Sequence, residues 1–324
     1  MLSQTDNHIS TDMSMPEDFY YFKMRYTALF ARHFAHDSNR AFIGNKDNRV
    51  CRYCEKVKPE VEFRNSAHAV PNLIGNRWLF ALDECDTCNK LFNALTEDHL
   101  AKYLGSMRTI SQISGKKGFP SYKSKDGKSR IDVSATGLEF KHERNSHLIE
   151  NDLENKKLFV RTHRQPYVPI AVYKSFVKMA LAIMPLNELA KCQHLNRWIR
   201  SDIHEPLPFK PLTVLEQSTS GPGSYRGLHL LLLRRRESVL DCPYIYFIVA
   251  FGNVLYQVFL PMHEADHHLD GQNINTPIFP VPFGGESHGG KRIHIVDLQS
   301  DQVMRDDKIE HVLSYSHMEE VKKE

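Results

Sequence analysis

Apolar residues recur at helical spacing over residues 16–39, at Phe19, Phe22, Tyr26, Phe30 and Phe34, which predicts one amphipathic helix near the N-terminus. A long helix is predicted to open at the cysteine pair in "CDTCNKLFNALTEDHLAKYLGSMRTIS". Alternation in "RIDVSATGLEFKHE" and "NKKLFVRTH" predicts short strands. "PIAVYKSFVKMALAIMP" and "LNELAKCQHLNRWIRS" read as two packed helices parted at Pro185. "YRGLHLLLLRRRES", "PYIYFIVAFG" and "VLYQVFLP" read as strands of a mostly antiparallel sheet, with "FGN" as a tight turn. The charged stretch beyond residue 300 is expected to end in a marginal helix. The pattern defines an α+β protein.

Five segments follow: an N-terminal tail and amphipathic helix (1–45), a cysteine-bearing module (46–114), a basic loop with short strands (115–160), a helix pair with a β-sheet as accessory domain (161–300), and a charged tail (301–324). A chain of 324 residues has room for two modest cores. No apolar run approaches the roughly 18 residues of a spanning helix, and the opening "MLSQTDNHISTDMSMP" lacks the plan of a secretory signal, so a cytoplasmic protein without a membrane partner is expected. A net charge of +3 is too mild to indicate nucleic-acid binding by itself, which leaves that argument to local clusters.

Four of the six cysteines form two C-x-x-C pairs, Cys51 with Cys54 and Cys85 with Cys88. Paired knuckles of this kind present four thiolates tetrahedrally to zinc, and here they would clip the start of the module to the start of its helix. Between them, "RNSAHAVPNLIGN" places His68 at the end of a short strand. Pro71 and a Gly75–Asn76 turn follow, and "RWLFALDE" reads as the returning strand. The zinc ligands therefore enclose a hairpin and the start of a helix. A structural zinc ribbon is the simplest reading of that arrangement.

The combination of "CRYC", "AHAVP", "IGN" and "CDTCN" resembles the HNH endonucleases, also called His-Me finger or ββα-metal nucleases, over roughly a sixth of the chain. The resemblance implies a metal-dependent endonuclease acting on DNA, with RNA as the second candidate, in a defence or mobile-element setting. It implies that His68 is the general base and that residues of the helix hold a Mg2+ or Mn2+ ion, beside a structural Zn2+ on Cys51, Cys54, Cys85 and Cys88. Asn89 follows the last cysteine and offers a carbonyl oxygen. Many relatives carry an acidic residue just before the base, where this chain has Ala67. One branch instead has an acid eight positions beyond the asparagine, here Glu97. At about 100° per residue Asn89, Asn93 and Glu97 share a helical face. Asn89 and Glu97 are thus the expected ligands, with Asn93 or His99 as helpers, and Asn76 is expected to orient His68 through its amide. The competing reading is an inactive zinc-stapled module that only binds nucleic acid or protein.

"GKKGFPSYKSKDGKSR" sets Lys116, Lys117, Lys123 and Lys125 near Phe119 and Tyr122, which suits phosphate contacts without sequence readout. "RRR" at 234–236 offers a second basic patch. "HEADHH" at 263–268 matches the H-E-x-x-H zinc-peptidase pattern, but the flanking Pro261 and "LDGQN" leave too little helix to seat two imidazoles on one face. The accessory domain is expected to select the DNA, bind a regulatory ligand or dock a protein partner.

Overall fold

A computed structural model describes residues 17–143, 148–207, 209–220, 225–280 and 290–319. Much of the expected tail at 1–45 and the last residues of 301–324 lie outside these.

Helix α1 (Glu17–Arg25) leads into strand β1 (Tyr26–Phe34), and β2 (Ala41–Ile43) follows. The single helix expected over residues 16–39 is therefore half strand. The apolar spacing from Phe22 to Phe34 is four residues at each step, and an even spacing keeps one face in a strand as well as in a helix. The decision falls to pairing: β1 lies antiparallel to β11 (Tyr225–Arg235), from Tyr26 opposite Arg235 to Phe34 opposite Leu228.

The cysteine module comprises β3 (Ala67–His68), β4 (Leu79–Ala81), α2 (Asp86–Phe92) and α3 (Asp98–Leu104). A short α4 (Met107–Ile110) follows. β2, β4 and β3 form one small sheet, β2 parallel and β3 antiparallel to β4. The basic segment folds as β5 (Tyr122–Lys123), β6 (Arg130–Ser134) and β7 (Gly137–Lys141). Next come β8 (Ile149–Asp152) and β9 (Lys157–His163). Helix α5 (Pro169–Ile183) is followed by α6 (Leu186–Leu189) and α7 (Gln193–Arg200). β10 (Thr213–Thr219), β11, β12 (Ile245–Gly252), β13 (Val254–Leu260) and β14 (Lys291–Asp297) join β1 in a six-stranded antiparallel sheet ordered β1-β11-β12-β13-β10-β14. α8 (His263–Asp266) follows β13, and β15 (Lys308–Ser314) pairs antiparallel with β9. That last pairing replaces the helix expected near the C-terminus, because the open edge of β9 offers Ile309, Val312 and Leu313 a partner that a lone charged helix would lack.

Helix α5 organises the molecule. All fifteen of its residues are buried, as expected of a helix that is largely apolar all round, and its two lysines are paired inside the protein. Toward the large sheet, Tyr173 donates a hydrogen bond to the Phe259 carbonyl at 2.6 Å, and Phe176 packs on Tyr256 with ring centroids 4.9 Å apart. Toward the cysteine module, Arg52, in the first knuckle, donates to the Leu181 carbonyl at 2.8 Å and to the Ala182 carbonyl, and pairs with Asp83 at 2.7 Å. A guanidinium thus caps the C-terminal end of α5, where unpaired carbonyls concentrate partial negative charge. One continuous hydrophobic cluster runs from the zinc knuckles through α5 into the sheet.

β15 also closes a polar contact. His311 Nε2 lies 2.8 Å from the Ser106 hydroxyl, which lies 2.7 Å from that of Thr162. Burial, followed by the charge of Arg164, pushes the His311 pKa down to about 4. The unfolded chain therefore binds a proton that the folded chain refuses between pH 6.5 and 4, and the stability contributed by the neutral ring is lost as pH falls through that window. Urea midpoints of the parent should drop more steeply from pH 7 to pH 4.5 than those of His311→Gln, by about 2–3 kcal/mol of stability. Equal slopes would show that the ring takes up its proton without unfolding.

Candidate active site

Cys51 and Cys85 are fully buried and Cys88 almost so, and the four sulfurs lie within 4.8 Å of one another. A tetrahedral ion with Zn–S bonds of about 2.3 Å separates its sulfurs by about 3.8 Å. Cys54 Sγ and Cys85 Sγ are 3.8 Å apart. The main-chain N–H of Cys88 points at Cys85 Sγ (3.4 Å) and that of Cys85 at Cys51 Sγ (3.5 Å). Hydrogen bonding from the Cys88 thiol and from main-chain N–H groups pulls the Cys51 pKa down to about 4 despite its burial. A donor set that is all sulfur and largely buried fits zinc. Among the described residues this is the only cluster of three or more cysteine, histidine or carboxylate donors within reach of one ion.

β3 is only two residues long. Its partner β4 sets His68 opposite Phe80, and the imidazole packs on the Phe80 ring with centroids 4.7 Å apart. The connection returns through a short helical turn over 72–74 that ends at Gly75 in the left-handed conformation (φ 90°), a geometry that costs a side chain but not glycine. Asn76 is fully buried there. Its amide donates to the carbonyls of Val70 (2.7 Å) and Leu79 (2.9 Å), and its oxygen accepts from the N–H of Trp78 (3.1 Å) and Leu79 (2.9 Å). The expected bond from Asn76 to the imidazole is thus replaced by four bonds to main chain. The residue fixes the hairpin that carries His68, and leaves the ring to Phe80.

Burial first, then the positive charges of Lys116, Lys178 and Arg40, push the His68 pKa down to about 4. The ring is therefore neutral at pH 7, the form that accepts a proton.

α2 begins at Cys85, whose side chain caps the N–H of Cys88. Asn89 is half-buried in the first turn, and no hydrogen bond joins its side chain to another group among the described residues. The helix is not uniform. Asn93–Glu97 is a π turn in which the N–H of Asp98 reaches back five residues to the Asn93 carbonyl, and the helix breaks at Gly105. A π turn advances less than 100° per residue, so Glu97 comes round less far than the roughly 80° from Asn89 that a regular helix gives, and stays on the same side of the helix. Asn93 is exposed. His99 turns toward α5, where its Nδ1 accepts the N–H of Val168 at 3.0 Å, which occupies that nitrogen and removes His99 from the expected helpers.

Lys178 of α5 sits where these parts meet, and its side chain is 1% exposed. Its ammonium lies 3.1 Å from Glu84 Oε2 and 3.9 Å from Glu97 Oε1, and donates to the carbonyls of His68 (3.3 Å) and Ala69 (3.5 Å). The rings of Phe92 (5.7 Å) and Tyr53 (5.9 Å) flank it. The strand that carries His68 and the helix that carries Glu97 are thus each one contact from the same cation. Burial, partly opposed by Lys178, raises the Glu84 pKa to about 7. Neither Lys178 nor Glu84 belongs to any local motif. The available signal was the pair Lys174 and Lys178 in a stretch otherwise largely apolar, since a charge on such a helix is buried and must be paired.

The basic segment divides. Lys116 and Lys117 form the exposed tip between Gly115 and Gly118, which exchange main-chain hydrogen bonds, and the charge of Lys116 reaches His68. Lys123 is exposed on β5, and Lys125 lies 3.8 Å from Asp306. The "RRR" run is structural. Arg234 pairs with the buried Glu188, Arg235 donates to the Cys242 carbonyl at 2.6 Å, and Arg236 binds main chain near β1. In "HEADHH" the helix spans only four residues, and His267 and His268 each contact a main-chain carbonyl. The His263 side chain lies outside the described residues.

Residues 51–104 match the family model of the HNH endonucleases. Over that segment the chain is an HNH-family module whose four-cysteine cluster fits a zinc staple, set in an α+β protein. No curated protein and no solved structure matches the chain. Among the described residues no helix is long and apolar enough to cross a membrane.

Proposed function

We propose that the module hydrolyses phosphodiester bonds in nucleic acid, most readily DNA, with His68 as general base and with Asn89 and Glu97 as the protein ligands of a Mg2+ or Mn2+ ion. The observation that carries this reading is the environment of His68. The charges of the exposed Arg40 and Lys116 reach the half-buried imidazole, so a phosphate drawn in by them would offset the charges that lower its pKa and leave the ring a better base. His68 accepts a proton from water, the hydroxide bonds to phosphorus, and the bond to the leaving oxygen breaks as that oxygen gains a proton from solvent. A divalent ion would offset the negative charge on the phosphate and the leaving oxygen. Asn89 brings an oxygen that has no hydrogen-bond partner among the described residues, and Glu97 has two oxygens, of which Oε1 faces Lys178.

Plasmid nicking with Mg2+ or Mn2+ tests the reading. His68→Ala should lose about 10²- to 10⁴-fold in rate, the usual worth of a positioned base. Asn89→Ala and Glu97→Gln should raise the metal concentration needed for half-maximal cutting. Equal rates in the parent and His68→Ala would remove the proposed site.

A second reading has its own support. Ala67 stands where an acid would help to hold the ion, and Glu97 is shared with an internal ammonium. On that reading the module binds nucleic acid without cutting, and the parent would retain DNA without nicking it.

A further inference from the structure

The small sheet presents three rings in a row. Phe42 on β2 is in register with Phe80 on β4, and Phe80 with His68 on β3, so their side chains stand on one face. Phe42 and Phe80 are stacked with centroids 5.8 Å apart and planes 29° apart, and Phe80 and His68 are 4.7 Å apart. Phe80 is buried, whereas Phe42 is 56% exposed, at the outer end of the row. The Arg40 guanidinium lies over the Phe80 ring at 5.5 Å and is itself exposed. Phe42 is therefore a large exposed apolar ring one ring removed from the imidazole, stacked on the same Phe80 ring that the Arg40 guanidinium covers.

We propose that Phe42 is a stacking platform for an unpaired nucleobase, with Arg40 holding the phosphate between that base and His68, so that the substrate is single-stranded at the site of cleavage. This deepens the nuclease reading above and rests on it for the role of His68. The charges argue for the occupant. Arg40 and Lys116 are both exposed and both carry positive charge to the imidazole, which suits a polyanion. Bases in a duplex already stack on each other, whereas an unpaired base has a free face for an aromatic ring. The sugar is not read by this geometry, so deoxyribose and ribose strands share the chemistry.

Binding separates this proposal from catalysis. Fluorescence polarisation of the full zinc-loaded chain, without added Mg2+ or Mn2+, compares labelled twelve-nucleotide oligothymidine, the same length of abasic strand, a duplex of equal length, and oligouridine. The parent should bind oligothymidine more tightly than the abasic strand and the duplex. Phe42→Ala should weaken the thymidine strand ~5- to 150-fold, the range for one base–aromatic contact, and leave the abasic strand unchanged. Phe42→Trp should restore the difference. Arg40→Ala should weaken all strands alike and flatten the salt dependence. Tighter binding of oligouridine that is still lost in Phe42→Ala keeps the platform and assigns it to RNA. Phe42→Ala binding oligothymidine as the parent does, or a parent that prefers the duplex, overturns the proposal. Base-dependent binding by a parent that never cuts when Mg2+ is added would sink the nuclease reading and leave the platform standing.

Discussion

Cys88→Ser is expected to strip the zinc and to unfold far more than the knuckle that holds it. Metal binding by such clusters is folding free energy, with apparent values of about 10–16 kcal/mol in isolated zinc-finger peptides at pH 7. Here the knuckle is also an anchor. Arg52 and Tyr53 lie between the first two sulfurs; Arg52 caps the C-terminal end of α5, and the Tyr53 hydroxyl donates to the Lys178 carbonyl at 3.4 Å. The second pair fixes the start of α2, where Cys85 is the helix cap. Released ligands would free both ends of the module and expose the cluster that it shares with α5 and the large sheet. Metal analysis should find one zinc in the parent and none in the variant, with a melting transition shifted down by many degrees or lost. A variant that keeps its zinc, or a parent whose melting ignores a strong chelator, would show that the cysteines are not the staple.

The second large effect concerns Lys178. Replacing it with methionine keeps the length of the side chain and removes the cation, which leaves Glu84, 1% exposed, without the ammonium that it pairs with. Breaking a buried pair from one side costs about 3–5 kcal/mol, because the remaining charge is stranded. Urea unfolding of Lys178→Met at pH 8 should show a loss of that size. The loss should shrink toward pH 5. Burial raises the Glu84 pKa to about 7 even with Lys178 lowering it, and without the ammonium it is raised further, so the stability that goes with the neutral carboxyl is full below the ordinary carboxylate pKa and is lost as pH rises from there. Adding Glu84→Gln to Lys178→Met should recover most of the loss, since an amide carries no charge to strand. A penalty under about 1 kcal/mol, or one independent of pH, would mean that the ammonium and the carboxylate act separately.

That pair also explains how the module depends on the rest of the chain. The ammonium holds the carbonyl of His68 and faces Glu97, so a change in the position of α5 reaches both sides of the proposed site. Nuclease activity, where measured, should fall in Lys178→Met even at temperatures where the variant is fully folded.

Local patterns along the chain were enough for several conclusions. Two C-x-x-C pairs announce four sulfurs, and those sulfurs meet. Alternating stretches became β6, β7 and β9, the apolar "PIAVYKSFVKMALAI" became α5, and the FGN turn joined β12 to β13. Such features depend on neighbours a few residues apart, where spacing and backbone preference decide. Other features needed partners from far along the chain. Residues 26–34 satisfy either a helical or an extended period, and only the edge of β11 made them a strand. Residues 308–314 became a strand for the same reason, beside β9. Asn76 looked able to reach an imidazole, but the main-chain groups of its own turn lay closer and took all its hydrogen bonds. Glu97 was placed by a π turn that spacing rules do not show, and met a lysine 81 positions away in sequence. The sequence by itself determined which chemical groups are available and the local elements that carry them. The tertiary structure decided which of those groups meet, because burial of a charge and pairing of a strand edge are settled by whatever the distant chain supplies as a partner.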